Sequence, residues 1–191
     1  MVADNLAGLG GLLAGVVGFG TIGVAVARAF HRMGCHICFH DPAPLVPDAG
    51  AVIDARALPL DDLLANADIV TLHVPLVPAT QGLIGDRELA RMKAGAVLIQ
   101  GSRGGIVDEA ALAKHLRAGK LGGAAVDVYS TEPPPADHPL LTLDGEAARR
   151  LILTPHIAGV TRQASANLFR TTWQNVERVL MRGEAPLNRA Y

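Results

Sequence analysis

Residues 12–41 read LLAGVVGFGTIGVAVARAFHRMGCHICFHD, and this stretch decides the fold of the chain. A short apolar run, Leu13 to Val17, leads into the turn sequence GFGTIG, and an Ala- and Val-rich helical pattern then ends at Gly34. A second apolar run ends at Asp41. This order of strand, glycine-rich turn, helix, strand and acidic residue is typical of a dinucleotide-binding site.

The three glycines of the turn have separate predicted tasks. Gly18 makes the tight turn after the strand, Gly20 lets the backbone approach a diphosphate, and Gly23 lets the helix lie close to the strand. The N-terminus of that helix offers N–H groups to the phosphates. Asp41 follows Gly23 by 18 residues, near the spacing of about 20 residues at which a carboxylate binds the adenosine ribose. Because a 2′-phosphate would meet Asp41 as a like charge, the sequence favours NAD over NADP.

The same region has a second interpretation, as a membrane-spanning helix. Residues 5–27 contain no charge, and Gly11 and Gly15 form a G-x-x-x-G pattern found in packed membrane helices. Glycine is too dense over residues 8–23 for a stable helix, and a parallel strand buried on both faces is also continuously apolar. Asp4 occupies the place of the basic region of a signal peptide. We therefore predict no membrane partner.

The composition is that of one well-buried domain, or one domain with an appendage. The 191 residues are 50% hydrophobic but only 4% aromatic, which suits a close-packed parallel sheet under helices. A net charge of −1 provides no basic field, so nucleic acid is not an expected partner. Two cysteines without an export signal indicate a reducing compartment, and we predict a cytoplasmic location.

The two cysteines lie in CHICFH, which has the form of a C-x-x-C motif and of a metal cluster. Residues three apart on a strand point to opposite faces, so Cys35 and Cys38 are poorly placed to pair. His36, Cys38 and His40 would share a face, which leaves metal binding open. We expect buried strand residues with a packing role, and no metal.

Strand and helix patterns alternate along the whole chain, which predicts an α/β fold with a Rossmann-type doubly wound parallel sheet. We expect a leader over residues 1–11, a dinucleotide-binding domain over 12–160, and a C-terminal helix and tail over 161–191. The predicted strands are 13–17, 35–40, a weak one near 52–55, 67–75, 96–100, 123–128 and 151–154. The predicted helices follow the glycine turn and cover 60–66, 86–92, 108–118 and 162–181.

Four polar residues follow the carboxyl ends of predicted strands, where such sheets hold their chemistry. They are Arg103, Asp127, Glu132 and His156. Each has an ordinary alternative: a surface turn residue, a solvated loop acid or a hydrogen-bonded loop histidine. Together, a histidine, a carboxylate and an arginine on one rim form a workable set for proton transfer and carboxylate binding.

The chain resembles the D-isomer-specific 2-hydroxyacid dehydrogenases, a family that includes phosphoglycerate, glycerate and D-lactate dehydrogenases. The resemblance extends from residue 15 to residue 188. It rests on the blocks GVVGFGTIG, HDP, ADIVTLHVPLVPATQGLI, SRGGIVDEAAL, GGAAVDVYSTEPPP, LTPHIAGVT and GEAPLN, in this order. The order of the blocks is more specific than any one of them.

The resemblance implies hydride transfer between NAD and a small 2-hydroxy or 2-oxo acid. It implies that Arg103 holds the substrate carboxylate, that His156 exchanges a proton with the 2-hydroxyl, and that Glu132 is the partner of that histidine. Asp127 resembles the acid that holds the nicotinamide carboxamide. Other positions matching cofactor-lining residues of the family are Thr21, Ile22, Val74, Thr80, Gly101 and Ser102.

Three departures from the family pattern bear on activity. Gln100 and Gly101 replace the usual Asn-Thr or Asn-Ala, and Thr21 replaces the commoner arginine near the diphosphate. The family also has a second domain ahead of the glycine turn, which supplies the other wall of the substrate cleft and covers the helix at 162–181. We therefore expect NAD binding with weak or absent turnover by this polypeptide alone.

Two hypotheses of different class follow. The first is a dehydrogenase, or part of one, with an intact NAD half. The second is a non-catalytic NAD(H)-binding module, either a pseudoenzyme or a redox sensor like the related C-terminal-binding corepressors. In both cases the apolar side of the last predicted helix favours self-association, so a homo-oligomer, a dimer, is expected.

Overall fold

The computed structural model describes residues 8–42 and 53–187. The strands are β1 Leu13–Val17, β2 His36–His40, β3 Arg56–Ala57, β4 Ile69–Leu72, β5 Val97–Gln100, β6 Gly123–Val126 and β7 Leu151–Leu153. The helices are α1 Thr21–Arg32, α2 Leu60–Asn66, α3 Asp86–Arg91, α4 Glu109–Arg117, α5 Gly145–Arg149 and α6 Arg162–Arg182.

All seven strands are parallel and lie in the order β3-β2-β1-β4-β5-β6-β7. The chain order reverses between β1 and β4, because β2 and β3 lie on one side of β1 and the later strands lie on the other. Ligands of such sheets bind in the crevice at this reversal, outside the carboxyl ends of the strands. The predicted doubly wound sheet is confirmed.

Strand β1 is buried on both faces, as the parallel-strand interpretation requires. Ala14 and Val16 pack in one apolar cluster, whereas Val17 packs in the other. Gly15 faces α2 so closely that a Cβ there would lie 2.6 Å from Leu63 Cδ2. The apolar run is therefore a central strand. Over residues 8–42 and 53–187, no helix is long and apolar enough to span a bilayer.

The weak strand expected near residues 52–55 lies elsewhere, and residue 52 is outside the described part of the chain. The short strand β3 begins at Arg56, which pairs with Cys38 of β2. Ile53 precedes it in a turn and buries its side chain beside Cys35 and Ile37. The apolar character of this segment thus reflects the packing of a turn. Helix α5 was not predicted, since five residues are too few for a helical period.

The chain divides into two compact units, with the boundary between Pro155 and His156. The first unit holds all the strands and α1 to α5, and the second holds α6. In α6 the Thr161 hydroxyl caps the N-terminus, and Gly183 ends the helix at a φ of 63°. None of the 21 residues of this helix is buried, and apolar side chains such as Phe169 and Trp173 are exposed. The predicted domain limits at 11/12 and 160/161 stay predictions.

Candidate cofactor and active site

The glycine turn is built by main-chain packing. Gly18 has a φ of 90°, and a Cβ there would lie 2.5 Å from the carbonyl oxygen of His73. A Cβ at Gly23 would overlap the carbonyl oxygen of Gly18. Because both obstacles are backbone atoms, which cannot rotate away, these positions accept only glycine. The turn therefore holds α1 close to β1 and leaves the N-terminus of α1 open.

The start of α1 suits an anion. Gly20 precedes the helix in an extended conformation, and the first turn of α1 contains neither an acidic residue nor a side-chain cap. Backbone N–H groups at such a terminus carry partial positive charge and bind phosphate oxygens. Thr21 and Ile22 begin the helix at this point. The arrangement fits the diphosphate of a dinucleotide.

Asp41 lies beside the glycine turn. Its Oδ2 accepts a hydrogen bond of 2.7 Å from the N–H of Phe19, inside the turn. The Phe19 ring stacks on Phe39 of β2 with 3.9 Å between ring centroids, so β2 and the turn are also joined by packing. A carboxylate held beside the turn is what recognition of the adenosine ribose requires.

A cleft of about 570 Å³ opens at the carboxyl end of the sheet. It brings together five residues predicted for the site with three that were not singled out. These are Ile22, Val74, Gly101, Ser102 and Arg103, with His73, Pro75 and Leu76. With the glycine turn and Asp41, this cleft gives a dinucleotide a place for its diphosphate, its ribose and its reactive end.

His73 is a cleft residue that sequence reasoning missed. It follows β4, so its place at the end of a strand was the available signal. Its Nε2 lies 2.9 Å from the hydroxyl of the buried Thr71, and burial lowers the pKa of the imidazole. Burial disfavours the charged form of the ring and so favours the neutral form of His73.

Thr80 does not line the cleft, although it was predicted to contact the cofactor. Its hydroxyl donates to the carbonyl oxygen of Pro75 at 2.5 Å and accepts from the N–H of Val77 at 2.9 Å. These bonds close the loop after β4, in which Pro75 and Leu76 line the cleft. Direct contact between Thr80 and cofactor stays a prediction.

The turn that carries Arg103 is held by Gln100, which is buried. The side-chain oxygen of Gln100 accepts from Ser102 Oγ at 2.7 Å and from the Ser102 N–H at 3.3 Å. Its amide nitrogen donates to the carbonyl oxygen of Arg103 at 2.8 Å. Arg103 itself is exposed, and its Nη1 donates to the Ser102 carbonyl at 2.6 Å. The residue that departs from the family pattern therefore fixes the backbone of the arginine.

Glu132 lies in the loop after β6, where its Oε1 accepts from the N–H of Tyr129 at 3.0 Å. The Tyr129 hydroxyl donates to the carbonyl of Thr154 at 3.0 Å. Gly104, next to Arg103, packs so closely on this loop that a Cβ would overlap the Tyr129 carbonyl. The loops that carry Arg103 and Glu132 are thus in direct backbone contact.

Asp127 directly follows β6 and is buried. Its Oδ1 accepts a 2.5 Å hydrogen bond from the Thr154 hydroxyl, beyond the end of β7. Its N–H donates to the carbonyl oxygen of Gln100 at 2.9 Å. The carboxylate thus lies at the carboxyl edge of the sheet, although it is not among the cleft-lining residues. Its binding of a carboxamide stays a prediction.

His156 is the first residue of the second compact unit. Its φ of 55° lies in the left-handed region, which is uncommon for residues other than glycine. The predicted cooperation of His156 with Arg103 and Glu132 stays a prediction.

The two cysteines pack on opposite faces of the sheet, as predicted. Cys35 belongs to the cluster under α1, and Cys38 to the other cluster. Both are free thiols, and burial raises the pKa of Cys38 to about 11. His40 is engaged through its Nδ1 with the carbonyl of Leu58 at 3.0 Å. Among the described residues, no group of three or more His, Cys, Asp or Glu side chains is arranged to hold a metal.

Comparison with known proteins decides the family. Residues 4–158 match the model of the D-isomer specific 2-hydroxyacid dehydrogenase, NAD binding domain. The chain belongs to this family. NAD is therefore the cofactor of the domain, and the glycine turn, the open start of α1 and the nearby carboxylate fit it.

The relatives of this chain carry the names of different dehydrogenases. The chain is 45% identical over 170 residues to (S)-sulfolactate dehydrogenase of Chromohalobacter salexigens, covering 89% of this chain and 53% of that protein. It is 41% identical over 160 residues to D-3-phosphoglycerate dehydrogenase of Archaeoglobus fulgidus, covering 84% of this chain and 29% of that protein. The chain thus spans about half, or less, of the length of these relatives.

Solved structures agree. The apo D-mandelate dehydrogenase of Rhodotorula graminis superposes with a TM-score of 0.87 at 29% identity, covering 97% of this chain and 52% of that chain. The predicted family, fold and cofactor are confirmed.

Proposed function

We propose that this chain is an NAD-dependent dehydrogenase of small 2-hydroxy acids, interconverting the 2-hydroxy acid and its 2-oxo acid. The observation that carries the proposal is the position of Arg103. A guanidinium lies on the rim of the cofactor cleft, in a turn fixed by the buried Gln100. When bound, NAD supplies the two-electron chemistry at its nicotinamide ring.

Arg103 would hold the substrate carboxylate. A planar guanidinium binds a carboxylate through two parallel hydrogen bonds, which fixes both the position and the orientation of a small acid. Gln100 supports this role, since it holds the main-chain oxygen of Arg103 at 2.8 Å. The same arginine would polarise the 2-oxo group.

His156 would exchange a proton with the oxygen on C2, and Glu132 would fix the tautomer of that imidazole and raise its basicity. The two motifs LTPHIAGVT and GGAAVDVYSTEPPP support these roles. The contact of the Glu132 loop with Gly104 supports a shared site for Glu132 and Arg103.

The cofactor residues would divide the dinucleotide among them. The diphosphate would lie over the turn, Asp41 would bind the adenosine ribose, and Asp127 would bind the carboxamide. The remaining proposed contacts are Gly18, Gly20, Thr21, Ile22, Gly23, Val74, Thr80, Gly101 and Ser102.

We further propose a homodimer in the cytoplasm. The exposed apolar side chains of α6 support self-association, and the two free, buried cysteines suit a reducing compartment. Sedimentation velocity and cell fractionation test these points. A monodisperse monomer would contradict the first, and an exported protein would contradict the second.

The experiment that tests the activity uses the full 191-residue chain and its Arg103→Gln variant. NADH binding is followed by fluorescence, and reduction of glyoxylate and other 2-oxo acids by NADH absorbance. We expect at most weak turnover by the wild-type chain, and we expect the variant to bind NADH normally and to lose that turnover about a hundredfold or more. The control is Arg87→Gln, which removes a surface guanidinium paired with Asp61 and Glu88.

Two outcomes would contradict the proposal. Because only weak or absent turnover is expected of this polypeptide alone, a lack of NADH binding is the outcome that would contradict both the dehydrogenase and the non-catalytic NAD(H)-binding module. Equal turnover of the wild type and Arg103→Gln would remove the arginine from the mechanism.

A further inference from the structure

A second histidine–carboxylate pair lies behind the loop that carries Glu132. Glu109 is the first residue of α4, and His138 follows the loop 129–132 in the chain. His138 Nε2 lies 2.9 Å from Glu109 Oε2, and the side chains are only 6% and 12% exposed. Neither residue has a role in the proposed chemistry, although burial of an ionisable pair is costly unless its hydrogen bonds are satisfied.

The hydrogen bonds assign the proton on His138. The N–H of Leu140 donates to His138 Nδ1 at 3.3 Å, so this nitrogen is the acceptor. Nε2 is then the nitrogen that donates to Glu109 Oε2. The other oxygen of Glu109 accepts from the N–H of Ser130 at 2.7 Å. Both oxygens of the Glu109 carboxylate therefore accept hydrogen bonds from the segment after β6.

Helix α4 itself does not use the Glu109 carboxylate as its cap. Asp108 performs that task, because its Oδ1 accepts from the N–H of Ala111 at 2.9 Å. The described bonds of Glu109 lead away from the helix, to Ser130 and His138. The Glu109 side chain thus holds the loop at residues 129–132 through the N–H of Ser130.

The held loop is the one that positions Glu132. Ser130 directly follows Tyr129, whose N–H donates to Glu132 Oε1. The Tyr129 ring meets the His138 ring edge-on, with 5.7 Å between centroids. Gly104 packs against the carbonyl of Tyr129 from the other loop. Residues 129 and 130 are therefore fixed from two directions, by Glu109 with His138 and by Gly104.

We infer that Glu109 and His138 are positioning residues that set the place of the Glu132 carboxylate; this rests on the proposed function for its catalytic consequence. They touch neither cofactor nor reacting atoms. They act through the main chain of residues 129 and 130, from which Glu132 receives a hydrogen bond. Loss of the pair displaces Glu132 while the glycine turn and Asp41 remain as they are.

The test compares Glu109→Ala, Glu109→Gln and Glu146→Gln in the full chain. Glu109→Gln can still accept from Ser130, but its NH₂ faces the donor Nε2 of His138. Glu146 is an exposed glutamate on α5 paired with Arg149, so its variant is a matched control. We expect kcat to fall about ten- to a hundredfold for Glu109→Ala, less for Glu109→Gln, and not for Glu146→Gln. The Kd for NADH stays within about twofold.

A spectroscopic readout separates positioning from simple structural support. Hydrogen exchange of the Tyr129 amide and the ¹³C shift of the Glu132 carboxyl both report on Glu132 and need no turnover. We expect the Tyr129 amide of Glu109→Ala to exchange at least about tenfold faster and the Glu132 shift to move. An unchanged Tyr129 amide and Glu132 shift, with only Ser130 exchanging faster, would overturn the inference.

Variants of the histidine provide a rescue experiment. The amide of His138→Gln can still donate to Glu109, whereas His138→Leu cannot. We expect the glutamine variant to keep more of the Tyr129 protection, and more of kcat, than the leucine variant. Equal loss in both would count against positioning. If the wild type does not bind NADH, the proposed function fails, and if its turnover is too weak to compare, kcat is not informative; in both cases the exchange and shift measurements still decide this inference.

Discussion

The glycine turn and the loop pair that carries Arg103 and Glu132 are built in different ways. The turn at residues 18–23 is shaped by backbone atoms that exclude a Cβ at Gly18 and Gly23. The loop pair, residues 100–104 and 129–132, is held mainly by side-chain hydrogen bonds from Gln100, Glu109 and Glu132. The glycine turn thus depends on the absence of side chains, whereas the loop pair depends on side-chain hydrogen bonds, including those of Gln100 and Glu109, which have no role in the proposed chemistry.

Gly23→Ala should have the largest effect. The new Cβ would overlap the carbonyl oxygen of Gly18, which belongs to the turn itself. Because α1 must move away from β1, we expect a loss of about 3 kcal/mol or more in the free energy of unfolding, and no measurable NADH binding. Urea unfolding and NADH fluorescence measure the two effects.

The matched control for Gly23→Ala is Gly10→Ala. A Cβ at Gly10 meets no atom within 4 Å, so stability and NADH binding should remain close to wild type. Similar losses in both variants would mean that the turn is not shaped by close backbone packing, and the contrast between the two regions would fail.

Gln100→Leu should have the next largest effect, now in the loop pair. The substitution keeps the buried volume but removes the partners of Ser102 and of the Arg103 carbonyl. We expect a loss of about 2 kcal/mol in the free energy of unfolding, together with weaker binding of 2-oxo acids. Chemical unfolding and KM for glyoxylate are the measurements.

Gln100→Glu sharpens this test. It keeps an acceptor for Ser102 but places a second carboxylate oxygen against the Arg103 carbonyl, where the amide donated. Because the buried carboxylate oxygen then has no donor, we expect a loss of stability at least as large as for Gln100→Leu, and a clear rise in KM. A glutamate variant as good as the wild type would show that the bond to the Arg103 carbonyl does not position the arginine.

Asp41→Ala tests a side chain that contacts the glycine turn. It removes the acceptor of the Phe19 N–H and the proposed ribose ligand. We expect NADH affinity to fall about tenfold and the preference for NADH over NADPH to shrink, as measured by fluorescence titration of both. Asp41→Asn, which keeps an acceptor, should bind NADH better than Asp41→Ala. An unchanged preference in both variants would argue against ribose recognition by Asp41.

His73, at the border of the two regions, gives the smallest expected effect. Burial holds its pKa below the ordinary value of 6.5, so below pH 6.5 the unfolded chain binds more protons than the folded one. The free energy of unfolding should therefore fall as the pH is lowered from about 6.5, with no effect of this group above that pH. His73→Gln should reduce the fall in urea unfolding between pH 7 and 5. An identical pH dependence in the wild type and the variant would contradict this.

The sequence was a good guide to the first region. Local signals near the glycine turn predicted β1, α1, β2 and the place of Asp41. Such a turn requires glycine at fixed positions, and this spacing is visible in the sequence. It also predicted the opposite faces of Cys35 and Cys38. These features depend on neighbours in the chain or on the period of a strand.

The loop pair could be predicted only in part. Arg103 and Glu132 were found from their places after strands, but the residues that hold them were not. Glu109 and His138 are 29 residues apart and meet only in the folded chain. The sequence marks Gln100 only as a departure from the family pattern, since nothing local shows that its amide closes the following turn. Long-range polar pairing leaves no period in a sequence.

The contact between Gly104 and the carbonyl of Tyr129 has a consequence for engineering. Two loops from different strands meet there with no room for even a methyl group. A chimera that imports one loop from a relative will retain activity only when it imports the other with it. Selection for new substrates is thus expected to yield paired substitutions in the loops that contain Gly104 and Tyr129.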